Sequence, residues 1–372
     1  MLLLKWILPV RHHNKVTLLF AFLAAALLSF APTSSADLSC AARESTAAVS
    51  WRVAEPSDAP ELARWCRAVG VPVVTHASAA EAPHLDEFVT LSWNAHLAEG
   101  QLPELIADLK AGAFTNGRPV RHFALLVQEL YRRGTDVPEF DAADRSAFAI
   151  APRDPDAADV EDHAQALGLS VIYVPSMRNG AGLREDRGNA IISTEPLLDP
   201  LALELPLARQ RRVAVAAGVN VTTDHGVKRL ELVNAHLEPL SSPRTLWIFR
   251  NPRGRQVKAL LDLLETPRFT DHARAGIVLG GDFNMIRGGA REEAYQHARA
   301  WSTSLRHEDR RRTHLMGRID YLFFRLADGW AARTTRIDQR FGSDHHPVMG
   351  IIGREAGTGS REPGPTIDRI TM

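Results

Sequence analysis

Cysteine is nearly absent from this chain. Its 372 residues include only Cys40 and Cys66, with no Cys-x-x-Cys pair. Two cysteines cannot close a structural zinc site alone. An oxidising compartment would permit a bridge between them; the alternative is that Cys66, in the helical stretch ELARWCRAVG, is a small buried apolar residue. Net charge is missing too, with 44 Lys and Arg against 44 Asp and Glu. Lys5, Arg11 and Lys15 fall in the acid-free first 36 residues, and the remainder holds 41 bases against 44 acids. Such a chain has no global field to draw nucleic acid or an anionic membrane. An anionic ligand must be held by a local cluster or by a metal. There is no internal repeat, and no apolar run reaches the ~20 residues of a spanning helix.

The longest apolar run is Val16–Pro32 (VTLLFAFLAAALLSFAP). Basic residues precede it, and Ser34-Ser35-Ala36 follows, with small residues three and one before a cut after Ala36. That pattern predicts a signal peptide over residues 1–36 and an exported protein, periplasmic or extracellular. The alternative is an N-terminal membrane anchor. A lipid anchor at Cys40 is disfavoured, because Leu38 sits one place too near it.

The apolar content of 45% and charged content of 24% are those of a globular protein, with room for one large α/β domain or two ordinary ones. Residues 37–87 are rich in Ala, Glu, Pro and Ser, and read as an N-terminal extension packed on a main domain over 88–353. The extension carries an amphipathic stretch, Pro60–Val69, and a short strand, Val71–Thr75. The polar, Gly- and Pro-rich tail over 354–372 is expected to be disordered.

Within the main domain, short apolar strands each run into polar, chemically active residues. Phe88–Trp93 ends at Asn94, and Phe123–Val127 ends at Gln128-Glu129. Gly188-Asn189 precedes Ala190–Ser193, while Leu230–Val233 ends at Asn234-Ala235-His236. Ile277–Leu279 runs into Gly280-Gly281-Asp282-Phe283-Asn284. Ile319–Phe324 carries Asp320, and Ser343-Asp344-His345-His346 precedes Val348–Ile352. Runs of this length fit buried strands. Helices are expected at Leu102–Lys110, Asp159–Leu167 and Gln256–Leu264. This order argues for sheets covered by helices.

Polar residues at several strand ends point to one cleft at the rim of a sheet. Asn94, Glu129, Asp282, Asn284 and Asp344 are oxygen donors, the ligand type of hard cations such as Mg²⁺. His236 and His345 supply imidazoles, which position phosphate or transfer protons near neutral pH. In GGDFN, two glycines allow a tight turn, and alternation along an extended segment puts Asp282 and Asn284 on one side. Each signal alone is weak: a Gln-Glu after a strand is usually a solvated loop, and Asn94 alone would more often cap a turn.

The ordered set WNxH, QE, GNAIIS, NxHL, GDFN, RIDY and SDHHP over residues 93–347 resembles the endonuclease/exonuclease/phosphatase superfamily. This includes deoxyribonucleases, abasic-site endonucleases, sphingomyelinases and inositol-polyphosphate 5-phosphatases. The resemblance implies an α/β (α+β) four-layer sandwich, two mixed β-sheets face to face with helices on both outer faces. It implies metal-side roles for Asn94, Glu129 and Asp344, with Glu129 the principal ligand. It implies that Asp282 activates water, that Asn284 holds the phosphate, and that His345, oriented by Asp320, contacts the scissile phosphate. His236 would be the second histidine, and its carboxylate partner would be Glu185 or Asp186. His96 and His346 are extra histidines with surface or supporting roles. The cofactor implied is Mg²⁺, with Mn²⁺ or Ca²⁺ as alternatives.

The expected substrate is a phosphate ester: nucleic acid, phospholipid or inositol phosphate. The arginine-rich Arg306–Arg318, with Arg333, Arg336 and Arg340, either borders the cleft or is a solvated loop. Trp247, Ile248 and Phe249 form either an apolar rim or part of the core. No stable protein partner is implied, and a monomer is expected. The competing reading is a phosphate- or lipid-binding module that kept the fold and lost the chemistry.

Overall fold

The computed structural model describes residues 49–77, 81–97, 99–139, 147–148, 159–179, 184–239, 252–271, 273–286 and 291–355. The expected signal segment, Cys40, residues 247–249 and the tail from 356 onward lie outside them.

Two sheets form among the described residues. The first has six strands: β1 (Ser50–Val53), β8 (Leu198–Glu204), β9 (Val213–Thr223), β10 (Gly226–His236), β11 (Arg274–Asp282) and β13 (Asp320–Leu326), in that spatial order. The second runs β12 (Leu305–His307), β14 (Trp330–Arg336), β15 (Val348–Arg354), β3 (Phe88–Asn94), β4 (His122–Arg133), β7 (Glu185–Ser193), β6 (Ser170–Asn179), β2 (Val73–Thr75). β5 (Ala147–Phe148) pairs with β6.

Side-chain alternation along the strands builds the layers. On β9, Val213, Val215, Ala217, Val219 and Val221 join the core between the sheets, where Leu126, Ile172 and Ile191 of the second sheet meet them. Ala214 and Ala216 of the same strand face outward, into a core that includes Val257, Leu260 and Ala298 from the helices Pro252–Leu264 and Glu293–Trp301. The outer face of the second sheet is covered by helix Leu102–Ala111, which buries Leu102, Leu105, Ile106 and Leu109, and by helix Val160–Leu167. The expected four-layer sandwich is the fold observed.

Local chemistry fixes the helix ends. Asp159 caps its helix by accepting from the amides of Glu161 and Asp162, and Gly168 ends it in the left-handed conformation. Gly112 does the same for the helix before it.

Three elements differ from expectation. The helix expected from Gln256 begins at Pro252, a residue suited to a first helical turn. The strand expected to stop at Val127 continues to Arg133 through a register shift between Val127 and Leu130. β6 is not among the expected strands although residues 171–174 (VIYV) form an apolar run; its Pro175 sits beside a register shift, where a missing amide costs little. The segment 49–77 supplies a strand to each sheet: β1 pairs with β8 and β2 with β6. Between them, Cys66 is buried on helix Ala59–Arg67 and is disulfide-bonded.

Candidate functional site

Register brings the motif residues to one end of the sandwich. His236 pairs with Asp282 across β10 and β11, and Asp282 pairs with Asp320 across β11 and β13. Cross-strand partners leave a sheet on the same face, so these three side chains share one rung. In the opposing sheet, Asn94 and Gln128 are partners at the ends of their pairing. Asn94 crosses between the sheets, its Nδ2 donating to Asp282 Oδ2 at 3.1 Å.

The glycines before Asp282 serve close packing rather than a turn. Both lie within β11, and Gly281 has φ 146°, where a Cβ would stand 1.7 Å from the Ala235 carbonyl oxygen. β10 and β11 can therefore deliver His236 and Asp282 side by side only with glycine at this position. The strand stops at Asp282. Asn284 is not the next same-side residue of an extended segment: it has φ 50°, and its amide donates to Asp282 Oδ1 at 2.8 Å. Its Nδ2 donates to the Leu237 carbonyl at 3.1 Å.

Glu129 is placed by a β-bulge. It has φ 57°, a left-handed conformation that side-chain-bearing residues rarely adopt and that costs about 1–3 kcal/mol. Asn234, buried in the other sheet, holds the bulge: Nδ2 donates to the Val127 and Ala190 carbonyls, both at 2.8 Å, and Oδ1 accepts from Gln128 Nε2 at 2.7 Å. Truncating Asn234 would take a partner from three buried polar groups. Asn234→Ala is expected to lower stability by about 2–4 kcal/mol in urea denaturation. A loss below about 1 kcal/mol would show that the bulge does not depend on this staple.

Charge divides the site into two flanks. On one, His345 Nδ1 lies 2.9 Å from Asp320 Oδ2, and both are buried. Burial alone would lower the His345 pKa, but Asp320, Asp282 and Asp344 together raise it to about 10. Asp344 reaches His96 Nδ1 at 3.0 Å, His314 Nε2 at 3.1 Å and His345 Nε2 at 3.6 Å. Despite burial acting the other way, these imidazoles hold its carboxyl well below the usual range. On the opposite flank, His236 Nε2 stands 3.5 Å from Asp282 Oδ2 and 3.9 Å from Glu129 Oε1. Burial, reinforced by Arg212, Arg187 and His345, keeps His236 neutral. Asp282 lies between the flanks; burial and the nearby Asp320 push its pKa up to about 7.

All eight expected site residues thus occupy the same end of the molecule, in these two groups. Glu129 and Asn94 sit with Asp282 and His236. Asp344 sits apart from them, with three histidines. Neither Glu185 nor Asp186 partners His236. Glu185 binds Tyr131, Arg133 and Asn179, while Asp186 binds Arg132, Tyr173 and the amide of Gly70. Asp186 ties the 49–77 segment to the sheet through Gly70. His346 is also outside the site, bonded to the Ile337 carbonyl and Arg340.

Several site residues were not singled out from sequence. His314 comes from the arginine-rich segment: a tight turn over Thr313–Gly317 presents it, and its ring lies 4.6 Å from that of His345. Met316 N donates to its Nδ1 at 3.1 Å, so the proton sits on Nε2, facing Asp344. Most arginines of that segment bind local acids: Arg311 with Asp309 and Asp338, Arg318 with Glu308, Arg306 with Glu355. Arg187 and Arg212 went unnoticed as well, since neither lies in a strand-end motif.

Two carboxylates in this cleft suit a hard cation. Among the described residues Glu129 makes no hydrogen bond, and His236 Nε2 stands 3.9 Å from its Oε1. Asp320 Oδ1 is buried without a partner. Oxygen donors without protein partners are what a Mg²⁺-type ion requires. Ligand atoms lie within 4.8 Å of one another in two groups, Asp282 with Asp320 and His345, and His314 with Asp344 and His345; in the latter, the His314 Nε2 proton occupies the lone pair a metal would take.

The model of the Endonuclease/Exonuclease/phosphatase family matches residues 91–345. Among solved structures, the chain is similar to a family protein of Leptotrichia buccalis (15% identity, 72% of this chain and 100% of that one, TM-score 0.45). It is also similar to the human Nocturnin catalytic domain with bound sulfate (14% identity, 72% and 94% covered, TM-score 0.46). A third is a mannosyl-6-phosphatase of Bacteroides thetaiotaomicron (12% identity, 72% and 99% covered, TM-score 0.43). No curated protein matches the chain.

Proposed function

Because the chain belongs to the endonuclease/exonuclease/phosphatase family, we propose that it is an exported, divalent-cation-dependent phosphoesterase that cleaves its substrate by in-line attack of water. The observation that carries this reading is the rung of His236, Asp282 and Asp320, with a protonated His345 at one end and an unbonded Glu129 at the other.

A phosphate ester is anionic and repels nucleophiles. The positive His345 lies where it can donate an N–H to a phosphoryl oxygen, and Asp320 holds the ring in that tautomer. Asp282, whose pKa is near 7, is matched to taking a proton from water at neutral pH. Asn94 and the amide of Asn284 each fix one of its oxygens, which aims the carboxylate. Glu129 and Asn94 would hold the cation, with Mg²⁺ favoured over Mn²⁺ or Ca²⁺. When bound, it would add positive charge against the phosphoryl oxygens. Asp344 orders the three histidines.

Export rests on the basic, apolar and small-residue pattern of residues 1–36. The chain is read as a monomer acting on nucleic acid, phospholipid or inositol phosphate. A panel of plasmid DNA, RNA, sphingomyelin, inositol phosphates and bis-p-nitrophenyl phosphate, each with Mg²⁺ and with EDTA, tests the reading. Hydrolysis of at least one substrate, abolished by EDTA, is expected. Hydrolysis that survives EDTA, or none on any substrate, would overturn it.

A further inference from the structure

We propose that the turn over Thr313–Gly317 positions the catalytic imidazole, with Thr313 and His314 at its base holding Asp320, Asp344 and His345 in the arrangement that leaves His345 Nε2 free for a phosphoryl oxygen. The proposal rests on the phosphoesterase reading and adds to it two residues that act through others.

The turn closes on itself. The amides of Thr313 and His314 donate to the Gly317 carbonyl at 3.1 and 2.9 Å, and the Gly317 amide donates back to the His314 carbonyl at 3.0 Å. Its tip stands in solvent, with Leu315 80% and Met316 49% exposed. Its base is buried at Thr313. Thr313 Oγ1 accepts from the amides of Ile319 and Asp320, both at 3.1 Å, and the Thr313 carbonyl accepts from the His346 amide at 2.8 Å. β13 begins at Asp320, so the two amides lie where the strand ladder ends, and buried amides need a partner. One threonine thereby fixes the backbone at both ends of the 2.9 Å contact between Asp320 Oδ2 and His345 Nδ1.

His314 governs the other nitrogen of His345. Its ring lies 4.6 Å from the His345 ring, with the planes 30° apart. Its Nε2–H donates to Asp344 Oδ2 at 3.1 Å, because Nδ1 already accepts from Met316 N. Asp344 Oδ1 then stands 3.6 Å from His345 Nε2, beyond hydrogen-bond length. A carboxylate closer than this would take the N–H that a phosphoryl oxygen needs. His314 on one oxygen, with His96 Nδ1 3.0 Å from the other, keeps the carboxylate turned to the side.

The main chain of His345 is held independently, from β3. Its amide donates to Ser343 Oγ at 3.0 Å, Ser343 Oγ donates to the Asn94 carbonyl at 2.7 Å, and Trp93 Nε1 donates to the His345 carbonyl at 3.3 Å. The direction of the side chain is left to Asp320 and Asp344, and so to the turn. A displacement of about 1 Å at a reacting group costs about 10²-fold in rate.

The test combines kinetics on bis-p-nitrophenyl phosphate in Mg²⁺ with nitrogen NMR of isotope-labelled histidine and thermal melts, on wild type, Thr313→Val, Thr313→Ser and His314→Phe. Valine keeps the shape and removes the hydroxyl; serine keeps the hydroxyl. Thr313→Val is expected to lower kcat by roughly 10–100-fold with KM within roughly threefold of wild type, to shift the His345 Nδ1 resonance and to lower Tm. Thr313→Ser should recover kcat to within roughly threefold and restore the resonance. His314→Phe keeps a ring against His345 and removes the N–H, so kcat should fall by roughly tenfold while the Nδ1 resonance stays and the Nε2 resonance moves. An unchanged Nδ1 resonance in Thr313→Val, a serine variant as impaired as the valine one, or wild-type kcat in His314→Phe would overturn the proposal. The last result decides alone if Thr313→Val does not fold. The resonances need no turnover, so a wild type that hydrolyses nothing strikes the hydrolytic reading, while the positioning of His345 is still decided by NMR.

Discussion

Glu129→Ala should reduce hydrolysis of bis-p-nitrophenyl phosphate in Mg²⁺ by about 10²–10⁴-fold in kcat/KM. The protein spends local strain to place this carboxylate. A bulge in β4 turns it out of the ladder, φ at 57° holds it there, and Asn234 braces the bulge from the opposite sheet. Strain of this kind persists only where the surroundings over-determine it. Since Glu129 makes no hydrogen bond among the described residues, the loss of activity should come with little loss of stability. Glycine tolerates this backbone, so Glu129→Gly should be more stable than Glu129→Ala by about 0.5–1 kcal/mol and equally inactive. Urea denaturation of both variants beside the kinetic assay separates the two effects. An alanine variant that keeps most of its activity would remove Glu129 from the site.

His345→Ala should cost a similar factor, for a different reason. The imidazole is held positive by Asp320 2.9 Å away, with a pKa of about 10. Activity should therefore persist in mildly alkaline solution and fall as pH rises through about 10, where the ring loses its proton. On the acid side it should rise as Asp282 ionises, near 7 or below when a cation is bound. Asp320→Asn removes the charge that raises both groups, so both limbs should move to lower pH. The stability conferred by the His345–Asp320 pair follows the same sign. A raised folded-state pKa means it is fully present below the ordinary histidine value of about 6.5 and is lost as pH rises through the folded value. A pH–kcat/KM profile of wild type and Asp320→Asn checks this. An alkaline limb that does not move would show that Asp320 is not what keeps His345 protonated.

Much of this architecture could be read before folding. Buried strands announce themselves as apolar runs, and the motif residues stand at their ends, so β3, β10, β11, β13 and β15 were legible from their cores outward. What escaped depends on three-dimensional context. The bulge at Glu129 has no composition signal, because Gln128-Glu129 looks like any loop entry. Glu185 and Asp186 sit close to GNAII in sequence, but strand geometry directs them to Tyr131 and Arg132 rather than to His236. His314 was hidden in a run of arginines whose charges are mostly spent on neighbouring acids.

The glycines illustrate a partial success. Gly280-Gly281 marked a special backbone, though the expected reason was a turn. The operative one is the approach of Ala235 to Gly281. Packing of this kind joins neighbouring strands and leaves no trace in a single segment.

Where a cation settles discriminates most sharply between the two groups of ligands in the cleft. Crystals soaked in Mn²⁺ and measured at its absorption edge would locate it. An anomalous peak between Glu129 and Asn94 is the expected result; a peak held by Asp344 and His314, with nothing at Glu129, would contradict it.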